Sequence, residues 1–168
     1  MALRTMKILA ISLGTRTSGI ALLSHGQLAY WRTHTFSGKW SADKCNDILA
    51  KYDRYITRHH IEHVAIKIPP ATHHTKALLT LLKKLTQLVQ YRGCMVACHT
   101  KSDLKAAVPD VANTESLMDY VVKHYPILLP EQAQERTSRQ AYHIKMFEAV
   151  MAAHLYKQHL TRERSRRI

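Results

Sequence analysis

A chain of 168 residues with 46% hydrophobic and 22% charged side chains can bury a sizeable core as one domain and has the composition of a folded globular protein rather than a disordered one. No run of about 18 apolar residues occurs, which excludes a helical membrane span; three cysteines, Cys45, Cys94 and Cys98, form no paired framework, which argues against a disulfide scaffold and suits a reducing compartment such as the cytoplasm. Lys and Arg number 25 against 12 Asp and Glu, a formal charge of +13, and no acid precedes Asp43, so the chain projects a field that attracts polyanions such as phosphate backbones.

Two apolar runs at residues 7–13 and 18–24 flank the turn Gly14-Thr15-Arg16-Thr17 and predict a hairpin. The amino-terminal run leads straight into this strand pattern without a small-residue cleavage site, so no signal peptide is expected. The turn Ser24-His25-Gly26 leads to a third strand over 27–36. Ile48, Leu49, Tyr52, Tyr55 and Ile56 fall at helical spacing and predict a helix over 43–60. Residues 63–68 read as a short buried strand stopped by Pro69-Pro70, and 73–91, with Leu78, Leu81, Leu82, Leu85, Leu88 and Val89, as an amphipathic helix. After Gly93 comes a strand over 94–98, with Cys94 and Cys98 read as residues of a buried strand rather than ligands. A short helix capped by Ser102 follows, then one from Asn113-Thr114-Glu115 to Tyr125-Pro126, then a long final helix over 138–160. The domain is read as 1–160, with a basic, frayed tail over 161–168.

Three antiparallel strands followed by two strands joined through helices predict an α/β fold with one mixed five-stranded sheet, covered by helices on both faces.

Four ordered stretches extend this reading. Ile8-Leu9-Ala10-Ile11-Ser12-Leu13-Gly14-Thr15-Arg16-Thr17-Ser18-Gly19, Val64-Ala65-Ile66-Lys67-Ile68-Pro69, Asp103-Leu104-Lys105-Ala106-Ala107-Val108 and residues 139–156 together resemble the RuvC branch of the ribonuclease H-like superfamily, which contains Holliday-junction resolvases. The resemblance implies a ribonuclease H-like fold, a basic face for DNA and two-metal phosphodiester hydrolysis. It also implies dimers, with the leucine-rich helix 73–91 as the pairing element. The family's metal cluster needs an acid on the first strand, an acid on the fourth, and two acids about three residues apart on the last helix. The positions matched to these are Ser12, Lys67, His143 and Met146, none of them a carboxylate. Glu148 lies nearby on the last helix, but one carboxylate cannot build the cluster. The expectation is therefore a catalytically degenerate member with no cofactor; Mg or Mn enters only if residual nuclease activity exists.

Lys67 within an apolar strand is costly to bury unless paired or directed to water. Projecting into the vacated metal cleft, it can hold phosphate; the alternative is a lysine reaching solvent at the sheet edge. Arg16 at the hairpin tip, Lys76, Lys101 and Lys105 complete an expected nucleic-acid rim, with Arg162 and Arg164 adding charge from the tail. His59, His60, His63, His73 and His74 are read as surface histidines rather than a zinc site, since no acid or cysteine completes a ligand set. Tyr30, Trp31 and Trp40 either stack bases or pack in the core. The competing readings are a protein-interaction scaffold, a junction endonuclease with rearranged ligands, and an actin-like ATPase fragment suggested by Leu13-Gly14-Thr15-Arg16-Thr17. The last class needs two such domains, for which the chain is too short.

Overall fold

The computed structural model describes residues 6–139 and 141–167. Five strands, β1 (Lys7–Ser12), β2 (Thr17–Ser24), β3 (Gln27–Thr35), β4 (His63–Lys67) and β5 (Met95–His99), form one sheet in the order β3-β2-β1-β4-β5. β1, β2 and β3 pair antiparallel, and β4 and β5 join parallel. The mixed sheet is thus as the sequence predicts. The β2–β3 turn places His25 and Gly26 at φ 55° and 78°, the positive values that a tight I′-type hairpin requires at both central positions.

The two sheet faces differ in side-chain size, and that difference places the helices. Leu9, Ile11, Ile20, Leu22, Val64 and Ile66 point to one face, where α1 (Ala42–Arg58) and α2 (Lys76–Tyr91) cover them. Ala10, Ala21 and Ala65, with Ile8 and Leu23, point to the other, where α4 (Thr114–His124) and α6 (Ile144–Arg166) pack. Small residues on that face let α6 lie close. At Gly19 an added Cβ would stand 1.9 Å from the carbonyl oxygen of Lys145, so only glycine admits the helix backbone there. Alternation along each strand puts Ser12 and Lys67 on this same face, side by side in register.

Several local expectations change. α3 (Lys101–Ala107) is capped by Thr100 rather than Ser102: its hydroxyl accepts from the Asp103 amide while the Asp103 carboxylate accepts from Thr100 N–H. Between the two last expected helices the structure adds α5 (Leu129–Thr137), whose Pro130 suits a first turn but whose Glu/Gln-rich run carries little apolar periodicity. α6 begins at Ile144 rather than 138, because Ser138 is extended; the Glu135 carboxylate accepts from the amides of Tyr142 (2.9 Å) and His143 (2.8 Å) instead. α6 also runs on to Arg166, so the segment expected to fray is helical; residue 168 lies outside the described residues. β5 is an edge strand, and Cys98 on it is exposed rather than buried.

Candidate nucleic-acid interface

β1 and β4 run parallel and end together, which brings Ser12 and Lys67 to the same edge of the core. α6 crosses this end and lowers Lys145 and Glu148, one turn apart, toward them. Lys67 is buried with its side chain only 7% exposed, and its ammonium forms an ion pair with the Glu148 carboxylate, itself 15% exposed. Lysine at this position therefore does not reach to bulk water; it is held inside by a partner from the opposite layer. Lys145 Nζ donates to the carbonyl oxygen of Leu13 at 2.9 Å. Burial holds its ammonium below the ordinary lysine range; Glu148 opposes that shift and Lys67 adds to it. The Ser12 hydroxyl is fully buried and meets no hydrogen-bond partner among the described residues.

The positions expected from α6 need correction. Met146 packs in the core at 1% exposure, and His143 precedes the helix, where its Nε2 meets Gln134 Oε1 at 3.1 Å. Neither lines the cleft; Lys145 and Glu148 do. Their separation of three residues is the spacing expected of the paired last-helix positions, shifted by two from the expected register. The signal was present in the sequence as Lys145-x-x-Glu148, but it was masked because the first member is a cation.

Above this floor opens a cavity of about 290 Å³ between β4, α3, α4 and α6. Lys67, Lys101, Lys105 and Lys145 line it, with Glu148 as the single carboxylate among the described residues. Asn113 and Thr114 add polar groups at the start of α4. A second hollow of about 240 Å³ shares Pro69, His73 and Lys145 with the first and is bordered by the turn Gly14–Thr17, so Arg16 stands in a hollow adjoining the first. The turn sits tight on Lys145: a Cβ at Gly14 would come within 2.7 Å of its ammonium.

Of the residues expected to contact nucleic acid, the structure gathers Lys67, Lys101 and Lys105 in the cavity and Arg16 in the adjoining hollow. Lys76 lines neither: it is exposed on the first turn of α2, one residue after Thr75, which does line the second hollow. Arg162 and Arg164 lie on the same helix as Lys145 but on the order of 25 Å along its axis, at 1.5 Å per residue. His73, which touches both hollows, was considered in the sequence only as a surface residue or metal ligand.

The histidines are not all at the surface. His34 and His154 are buried, and His63 Nδ1 bonds the Tyr156 hydroxyl at 2.8 Å. Among the described residues no group of three or more His, Cys, Asp or Glu side chains comes together to hold a metal. Trp31 is structural: its indole N–H donates to Glu131 at 3.0 Å. α2 turns Leu78, Leu81, Leu85 and Val89 into its own core and leaves Leu79 and Tyr91 exposed. No helix of the described residues is long and apolar enough to cross a membrane.

No protein-family model matches the sequence, and no curated protein matches it. Solved structures do match in fold. RuvC of Thermus thermophilus in complex with a Holliday-junction substrate superposes with a TM-score of 0.71 at 15% identity, over 94% of this chain and 96% of that one. A second structure of Thermus thermophilus RuvC gives 0.66 at 15% identity, over 93% and 97%. The fold is RuvC-like, of the ribonuclease H-like type, across nearly the whole of both chains.

Proposed function

We propose that this chain binds nucleic acid by gripping backbone phosphate in the lysine-lined groove, and that it does not hydrolyse phosphodiesters with a metal pair. One observation carries the reading: the place that a metal cluster takes in the resemblance is filled by Lys67 tied to Glu148, with Lys145 beside them. A Mg or Mn ion wants several hard oxygen ligands, and two such ions bring positive charge into close quarters. This floor offers one hydroxyl and one carboxylate that an ammonium already neutralises, so the donor set does not fit a divalent cation. Phosphate fits it better: lysines at several angles donate to its oxygens, and its charge replaces the repulsion among them.

Structured or branched DNA is the proposed ligand class, because the superposed RuvC was held with a Holliday junction. Pairing of two copies through the exposed Leu79 side of α2 belongs to the same reading, and sedimentation that finds only monomer refutes that part. The test is a salt-titrated binding series with a four-way junction and a duplex of equal length, run without metal and then with Mg or Mn. Salt-dependent binding that favours the junction, with the DNA left intact, is the expected result. Binding of no nucleic acid at any salt refutes the reading and favours an interaction module; cleavage refutes the claim about metals.

A further inference from the structure

A second basic concavity lies on the other side of the sheet. Along β3, Tyr30, Arg32 and His34 are alternate residues and point the same way. On α1, Lys51, Arg54, Tyr55 and Arg58 fall at spacings of three and four and share one helix face. These two rows enclose a hollow of about 530 Å³ with no Asp or Glu in its lining. Its floor is ordered. His34 Nε2 and the Tyr55 hydroxyl are 2.7 Å apart, and the Tyr30 and Tyr55 hydroxyls are 3.3 Å apart. The two tyrosine rings lie 5.6 Å apart at 45°, and Lys51 stands over the Phe36 ring. Arg32, Arg54 and Arg58 are exposed, and none of the four cations forms a salt bridge among the described residues.

We propose that this groove between β3 and α1 is a second phosphodiester-binding site, which takes a single strand of nucleic acid on the sheet face opposite the lysine cleft. The inference rests on the reading above that the chain binds nucleic acid, and deepens it by naming a further contact surface and the form of the ligand. Cations without a competing carboxylate select an anion. Arg54 and Arg58 stand one helical turn apart, about 6 Å along the axis, which suits separate phosphates of one strand rather than one small ion. The tyrosine pair adds aromatic surface for a base, and basic groove plus aromatic platform is the pattern of single-strand binding. An acidic protein segment would use the charges but not the aromatic floor.

The test uses the full chain and two readouts. In binding of a labelled single-stranded oligonucleotide, the double variant Arg54→Ala/Arg58→Ala should flatten the salt dependence by about 1.4 in log–log slope, about 0.7 for each lost phosphate contact. Both residues are exposed, so the fold is not at stake. His34 reports on the groove itself: burial first, then Lys51 and Arg32, push its pKa down to about 4, and a phosphate beside those cations should raise it in an NMR titration. Lys101→Ala/Lys105→Ala should weaken binding and leave the His34 shift in place. Strand binding with an unchanged slope in the arginine variant and an unmoved His34 overturns the groove while leaving the cleft reading intact. Binding of the four-way junction but of no single strand by the unaltered chain overturns the groove alone, and binding of neither overturns both. Inorganic phosphate or an acidic peptide that moves His34 as far, at matched concentration, overturns the assignment to a nucleic-acid strand.

Discussion

Replacing Glu148 by Gln should move stability and nucleic-acid affinity in opposite directions. In the folded protein Glu148 partners Lys67, whose side chain is only 7% exposed, and its charge also favours the Lys145 ammonium. Breaking a buried ion pair from one side costs about 3–5 kcal/mol, because the other charge stays buried. The Gln amide oxygen still accepts a hydrogen bond from Lys67, so a loss of about 2–3 kcal/mol is expected, or a fall in Tm of roughly 4–12 °C for a chain of this size. For a phosphate in the cleft, the same change removes a repulsive charge. At about 5 Å and an effective dielectric constant of 20, that repulsion is about 3 kcal/mol. Lys67 already cancels much of it in the free protein, which leaves about 1.4 kcal/mol, or tenfold tighter binding. Denaturant melts give the first quantity and fluorescence anisotropy with a labelled four-way junction gives the second. A variant as stable as the parent, or one that binds DNA more weakly, refutes the assignment of Glu148 as internal counter-charge to the two lysines.

Lys67→Glu should abolish cleft binding and reduce the salt slope; unchanged affinity and slope in the anisotropy series mean that Lys67 contacts no phosphate. Gly19→Ala should destabilise by about 1–3 kcal/mol, since its Cβ meets the α6 backbone and not a movable side chain, and a melt within a few tenths of the parent contradicts the close approach. His154 is buried against His124 and Lys157, with burial the main cause of a pKa lowered to about 4. A histidine kept neutral when folded protonates more readily unfolded, so stability should fall as pH drops from about 6.5 toward 4; His154→Gln should flatten the part between pH 6.5 and 5, where carboxylates contribute least. Adding Mg or Mn at concentrations that serve metal nucleases should leave Tm unmoved, and a rise with concentration reveals a metal site after all.

The sheet was legible because its determinants are local. The apolar runs of β1 and β2, the His25-Gly26 turn and the Pro69-Pro70 stop each act within a few residues. The depth of α6 was not, because it depends on Gly19, more than a hundred residues away, meeting a helix carbonyl. The start of α6 was misplaced for a related reason. It lacks a side-chain cap of its own, and Met146, Phe147, Ala149, Val150, Met151, Ala152 and Ala153 are buried around its circumference, so no polar stripe marks its phase. The resemblance pointed to His143 and Met146, whereas the cleft is lined by Lys145 and Glu148. Ser12 and Lys67 fall at the ends of strands whose bounds the apolar runs mark, and the parallel register sets them side by side. The β3–α1 groove was out of reach: its residues look like scattered surface charges until the two rows are brought face to face.

The carboxylate of Glu135 has a consequence for how the lysine cleft holds together. It accepts from the amides of Tyr142 and His143, the two residues just before α6, and Lys145 sits only two residues beyond His143. The positive end of a helix dipole repels a neighbouring ammonium, so a carboxylate held just before that end offsets a local conflict of like sign. α5 therefore anchors the segment that leads into α6. Loosening that short helix should let the first turn of α6 unwind and carry Lys145 away from Leu13, while the sheet beneath stays whole.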